Sequence, residues 1–241
     1  MKILVVGASG ATGRLLVTQL LAGGNSVIAV VRPDSVISEE TTRHEKLTLV
    51  RLNLLDLDDE ARSQMVDGCD AIASCLGHNL NLKGIYGQPR KLVTDSVQSL
   101  CRAARNKDPN PTIKVVLMTS AGVGNRGIGE QVSFSEACFI SLLRVLVPPH
   151  ADNEQAAEFL RTAVGPSDKS IEWVVVRPDT LIDENLITDY QLHGSPTRSA
   201  IFNPGTTSRI NVAHFMAKLI TNDEAWANWK GKMPVVYNAV E

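Results

Sequence analysis

Residues Val6 to Arg14 read VGASGATGR, and this stretch limits the possible folds more than any other. It follows the apolar run Lys2–Val6 and precedes LLVTQLL, so it joins a buried strand to a helix. Gly7, Gly10 and Gly13 recur every three residues. The first glycine permits a tight turn off the strand. The second lets backbone approach a pyrophosphate, and the third lets the helix pack closely on the strand. The free N–H groups of the opening turn, Ala11, Thr12 and Gly13, then face the phosphates at the positive end of the helix dipole. A lysine-bearing P-loop is excluded, because Arg14 and Leu15 stand where Lys and Ser or Thr are required. A ligand-free glycine turn is the competing reading, and the rest of the chain argues against it.

Short apolar runs alternate with helical segments. The runs Lys2–Val6, Ser26–Val31, Leu47–Leu52, Ala71–Ser74, Ile113–Met118 and Ile171–Val176 have the near-continuous apolar character of strands covered on both faces. Between them, Gly13–Ala22, Lys91–Arg105 and Asn153–Val164 carry helical spacing, and Asn211–Ile220 followed by the strand Pro234–Asn238 completes the pattern. This alternation predicts an α/β fold, a Rossmann-type doubly wound parallel sheet in a single domain over 1–241. Two irregular insertions, 122–150 and 179–209, are expected to build the substrate side.

Composition narrows the function classes. A formal charge of −2 over 241 residues offers no broad basic field, which argues against nucleic acid and against acidic membrane surfaces as partners. The longest apolar stretch, Cys138–Val147, is interrupted by Arg144 and is far shorter than the ~20 residues of a membrane span. The N-terminus reads as a strand and not a signal peptide. Cys69, Cys75, Cys101 and Cys138 form no CxxC pair, consistent with small apolar residues in a reducing compartment. The expectation is a cytoplasmic protein, a monomer or homodimer, acting on a small molecule. His44, His78, His193 and His214 have no metal-ligand spacing, so no metal is expected. A GxSxG elbow is also missing.

The second strand ends in Val30-Val31-Arg32-Pro33. An NAD site places a carboxylate here to hold the ribose 2′-hydroxyl. Arg32 offers a guanidinium that can fork onto a 2′-phosphate instead, so the cofactor is expected to be NADP(H), with Arg14 and the Ser9 hydroxyl within reach of the same groups.

With these residues in place the chain resembles an atypical short-chain dehydrogenase/reductase of the NAD(P)-binding group that includes NmrA-like proteins and flavin- and biliverdin-reductase-like enzymes. The likeness extends through Leu52-Asn53-Leu54-Leu55-Asp56, Ser74-Cys75-Leu76-Gly77, Met118-Thr119-Ser120-Ala121-Gly122, Val176-Arg177-Pro178 and Ser208-Arg209-Ile210-Asn211-Val212-Ala213. The resemblance implies that Asn53 and Leu54 border the adenine, although Asp is commoner than Asn there. Cys75, Leu76 and Gly77 would flank the ribose and nicotinamide half, and Ser120 would hold the substrate carbonyl. Arg177-Pro178 would close over the nicotinamide.

One part of the pattern is missing. Active short-chain dehydrogenases commonly use Tyr-x-x-x-Lys after the fifth strand, where tyrosine passes a proton to the developing alkoxide. If Glu158 is the glutamate that usually follows the lysine, His150 and Glu154 take the tyrosine and lysine places. None of Tyr86, Tyr190 and Tyr237 has a lysine four residues on. Three readings stay open. His150 donates the proton, with Glu154 orienting it; or hydride transfer to a flavin or quinone needs no side-chain acid; or the chain binds NADP(H) without turnover as a redox sensor or assembly factor.

Overall fold

The structure is a computed structural model and describes residues 1–78, 82–106, 112–130 and 134–239. Ten strands form: β1 Lys2–Val6, β2 Ser26–Val31, β3 Leu47–Arg51, β4 Ala71–Ser74, β5 Ile113–Met118, β6 Ile171–Pro178, β7 Thr180–Ile182, β8 Tyr190–His193, β9 Thr206–Ser208 and β10 Val235–Asn238. The helices are α1 Ala11–Ala22, α2 Glu39–Thr42, α3 Asp59–Val66, α4 Leu82–Tyr86, α5 Leu92–Arg105, α6 Phe134–Leu146, α7 Pro148–Phe159, α8 Arg209–Thr221 and α9 Asp223–Trp229.

Eight strands make one sheet in the order β3-β2-β1-β4-β5-β6-β10-β8, and β7 pairs with β9 separately. Every pairing from β3 to β10 is parallel, and β8 closes the edge antiparallel. The chain runs outward from β1 to β3 and then crosses to β4, so β1 and β4 flank the point where the winding reverses. Ligands of such sheets bind in the crevice beyond the strand ends at that point.

The apolar character of the strands is accounted for by two cores. On one face α3, α5 and α7 bury Val66, Val97, Leu100 and Ala157 against Leu4, Ile72, Val115 and Val175. On the other, α1, α8 and α9 bury Leu16, Leu20, Phe215, Met216 and Trp226 against Ile3, Val5, Val116 and Val174. Burying a large apolar side chain contributes ~1.5–3 kcal/mol, and residues that alternate along each strand feed both layers.

Several boundaries differ from the sequence expectation. The helix expected over Asn153–Val164 begins five residues earlier, because Pro148 is suited to an opening helical turn. It ends in a π turn over Leu160–Val164. The insertion 179–209 is more regular than expected and contains β7, β8 and β9. Of the insertion 122–150, residues 131–133 lie outside the described residues.

Candidate functional site

At Gly7 the chain leaves β1 with φ of +73°, and an added Cβ would stand 2.6 Å from the Cys75 backbone. A Cβ on Gly13 would stand 2.2 Å from the Gly7 carbonyl oxygen. These two glycines therefore let β1, the end of β4 and α1 meet at backbone contact distance. Gly10 is exposed and its amide donates to the Gly7 carbonyl at 3.0 Å. It is also the N-cap of α1, which begins with no side-chain cap and no acidic residue in its first turn. By contrast α3, α8 and α9 are capped by Asp58, Ser208 and Asn222. The opening amides of α1 are thus left to an external anion.

A cavity of about 730 Å³ opens above this turn. Nine of the residues singled out in the sequence line it: Gly7, Ser9, Gly10, Arg32, Asn53, Leu54, Cys75, Leu76 and Gly77. Ala11, Thr12 and Gly13 form the adjoining helix turn, with Thr12 and Gly13 buried. Arg14 is exposed and outside the lining, and Pro178 is buried at the end of β6. The Arg32 side chain has no hydrogen bond or ion pair among the described residues and is free to take an anion. Asn53 Nδ2 donates to Asp56 at 3.0 Å. Burial pushes the Cys75 thiol up to about 12, so it is a wall and not a nucleophile.

Four contributors escaped the sequence reading. Ser35 Oγ stands 3.0 Å from Ser9 Oγ, and Arg51 donates to the carbonyls of Pro33 and Ser35 at 3.2 and 2.7 Å. Together these hold the segment behind Arg32 in place. Leu92 and Ser96 on α5 line the far wall. The Ser96 hydroxyl is buried with no hydrogen-bond partner, as are those of Ser74 and Thr119 at the ends of β4 and β5. Unpartnered buried hydroxyls are rare and tend to mark places where something else completes the bonding. The donor-rich glycine turn and the Ser96 hydroxyl both suit a dinucleotide.

Ser120 and His150 lie apart from this lining but close to each other. A Cβ on Gly122 would stand 3.6 Å from both Ser120 Oγ and His150 Cε1, so the two side chains flank one point beyond β5. Gly122 also lines a second cavity, of about 940 Å³, with Glu154, Arg144, Lys91 and Arg126. His150 sits in the first turn of α7, with Nε2 3.5 Å from Glu154 Oε1. That is long for a hydrogen bond, and Nε2 has no other partner. Arg144 grips Glu154 with two bonds of 2.6 and 2.8 Å. Burial alone would raise the Glu154 carboxyl, but His150 and Arg144 outweigh it and hold it at about 2. In the place of the usual lysine there is thus a fixed anion beside an imidazole.

The Arg177 side chain does not close over a nicotinamide. It is fully buried, and it donates to Met233 O at 2.7 Å, Val123 O at 2.9 Å, both oxygens of Glu130 at 2.8 and 2.7 Å, and Gly194 O at 3.1 Å. Those five bonds use all five guanidinium hydrogens. Glu130 in turn accepts from the Asn125 amide at 2.6 Å, so Arg177 anchors the loops around the second cavity. Near the first, Asp152 is buried on α7 and bonds His78, Val93 and Thr94. Burial pushes its carboxyl up, but those bonds prevail and leave it below its ordinary value. Among the described residues no group of three His, Cys, Asp or Glu is placed to hold a metal, and no helix is long and apolar enough to cross a membrane.

A parallel sheet whose first turn is an open glycine cradle at the winding reversal defines a dinucleotide-binding protein of Rossmann type. The chain belongs to the NAD(P)H-binding family, whose model matches residues 7–223. No curated protein sequence matches it. Among solved structures it is similar over 100% of both chains to a Lactobacillus casei protein, at 17% identity and a TM-score of 0.71. A short-chain dehydrogenase/reductase from Veillonella parvula, solved in complex with NADP, matches at 16% identity and TM-score 0.66, over 98% of this chain and 94% of that one. The anaerobillin reductase ChuY from Escherichia coli O157:H7 matches at 16% and 0.64, over 100% and 98%. These similarities show the fold.

Proposed function

We propose that the protein is an NADP(H)-dependent reductase of a small, planar, largely apolar molecule, such as a flavin, quinone or conjugated carbonyl. The observation that carries this reading is the pairing of Ser120 and His150 around Gly122, beyond the end of β5, the strand next to the β4 end that meets the glycine cradle. Bound NADPH would supply a hydride. Gly7, Ser9 and Gly10 with the opening amides of α1 hold its pyrophosphate, Arg32 its 2′-phosphate, and Asn53 and Leu54 border the adenine. Cys75, Leu76 and Gly77 flank the ribose and nicotinamide half, which Pro178 borders from β6. Ser120 Oγ donates to the substrate oxygen or nitrogen. His150 is the proton donor, and the Glu154 carboxylate beside its Nε2 orients the ring.

The reading has a direct test. NADPH oxidation is measured at 340 nm across a panel of flavins, quinones and aldehydes, and turnover is expected with at least one member. His150→Ala should lower kcat on a carbonyl roughly 10²-fold while leaving NADPH affinity intact. Tight NADPH binding with no turnover across the panel would establish the second reading, a non-catalytic NADP(H)-binding regulator or assembly protein. That reading draws on one observation: Arg144 and Glu154 hold each other where a ribose-binding lysine usually stands.

A further inference from the structure

Helix α5 starts on Lys91, which supplies no side-chain cap, yet its first amides need acceptors. Asp152 provides them from a different helix. Its Oδ2 accepts from the Val93 amide at 2.8 Å, its Oδ1 from the Thr94 amide at 2.9 Å, and its carbonyl from the Thr94 hydroxyl at 2.9 Å. The same Oδ2 lies 2.8 Å from His78 Nε2, and His78 Nδ1 lies 3.1 Å from the Gly84 carbonyl of α4. Both side chains are inaccessible, 5% exposed for His78 and 1% for Asp152.

This node joins parts that contribute separately to the site. His78 follows Cys75-Leu76-Gly77, and Leu92 and Ser96 of α5 line the same cavity. Asp152 is two residues beyond His150, in the helix that also carries Glu154. Among the described residues, the adenosine side of the cavity, formed by Arg32, Asn53 and Leu54 at the ends of β2 and β3, has no hydrogen bond to the node. The consequence of breaking it should therefore be one-sided.

We propose that His78 and Asp152 are a positioning pair that fixes the cofactor loop after β4 against the helix bearing His150, and so orders the nicotinamide half of the cofactor and not its adenosine half. The proposal rests on the NADP(H) reading above. Neither residue touches a reacting atom. They act by holding Gly77, Leu92 and His150 in one frame, and misplacement by even about an ångström is costly in a hydride-transfer geometry.

The test compares two ligands on one protein. Affinities for NADPH and for adenosine 2′,5′-bisphosphate, which carries the adenosine half alone, are measured by calorimetry for wild type, His78→Ala and His78→Gln. The enhancement of NADPH fluorescence on binding is recorded in parallel. His78→Ala is expected to weaken NADPH roughly tenfold and remove the fluorescence enhancement, while the bisphosphate stays within about twofold. His78→Gln, whose amide can donate to Asp152, should recover most of both signals. Should His78→Ala fail to fold, His78→Asn takes its place, since it is too short to reach Asp152. Unchanged NADPH affinity and fluorescence, or a parallel loss of both ligands, overturns the proposal. A wild-type chain that binds neither ligand overturns the cofactor reading itself, which is a distinguishable result.

Discussion

Helices α1 and α5 both lack a side-chain cap of their own, and they resolve it in opposite ways. The start of α1, on Gly10, stays open to the 730 Å³ cavity, whereas the start of α5 is filled by the buried carboxylate of Asp152. An uncapped helix start is therefore not in itself a ligand site. What separates the two is what the neighbouring chain permits. Around α1, Gly7 and Gly10 leave room for an anion. Around α5 a helix 59 residues further along the chain supplies the anion from within. One start is designed to be completed from outside and the other is already complete.

The largest expected effect tests the filled start. Asp152→Ala would leave two amides and the His78 Nε2 unpartnered in the interior, and should destabilise the chain by about 3–5 kcal/mol, which lowers the midpoint of thermal unfolding by roughly 10 °C for a chain of this size. A variant as stable as wild type would show that the carboxylate is dispensable. Next comes the open start. Gly13→Ala forces a Cβ to within 2.2 Å of the Gly7 carbonyl, so about 2–4 kcal/mol of stability and most NADPH binding should go together. Arg32→Ala should leave stability unchanged and weaken NADPH about tenfold or more, with little effect on NADH. Equal losses for both cofactors would remove Arg32 from the 2′-phosphate.

The smallest effect concerns α7, which also begins uncapped, at Val147. Glu154 is held at about 2, below the ordinary carboxylate value. Its stabilising contribution is therefore present in full above about pH 4.5 and is lost as the pH falls toward 2. Glu154→Gln should cost on the order of 1 kcal/mol at neutral pH, discounted for partial exposure, and this cost should vanish through that window. A pH-independent difference in urea unfolding would mean that Glu154 acts through packing alone.

The cofactor half of the molecule was legible because its signals are local. The glycines every three residues and the apolar runs each act within a few residues of where they stand, and seven of the strands were legible to within two residues at either end. The rest depends on contacts across the chain. Nothing around Asp152 in the sequence indicates that it caps a helix 59 residues earlier, and His78 read only as a histidine without metal spacing. Pro148-Pro149 fell within the irregular insertion 122–150 and proved to be the opening of α7, because proline is as compatible with a helix start as with a loop. The resemblance implied that Arg177-Pro178 closes over the nicotinamide, but a matched motif does not reveal which way a side chain turns.

Arg177 has a bearing on how this scaffold could be re-engineered. Its five bonds fasten the backbone at Val123, Gly194 and Met233 and the Glu130 carboxylate to the end of β6. The loop 124–129 spans the gap between two of these fastenings, Val123 and Glu130, whereas the stretch after Gly194 is tied further by Ala200, which packs against Val235 and Tyr237 of β10. A designer seeking a new substrate could redraw the loop 124–129 and keep the cradle untouched, provided that Arg177 and Glu130 are retained.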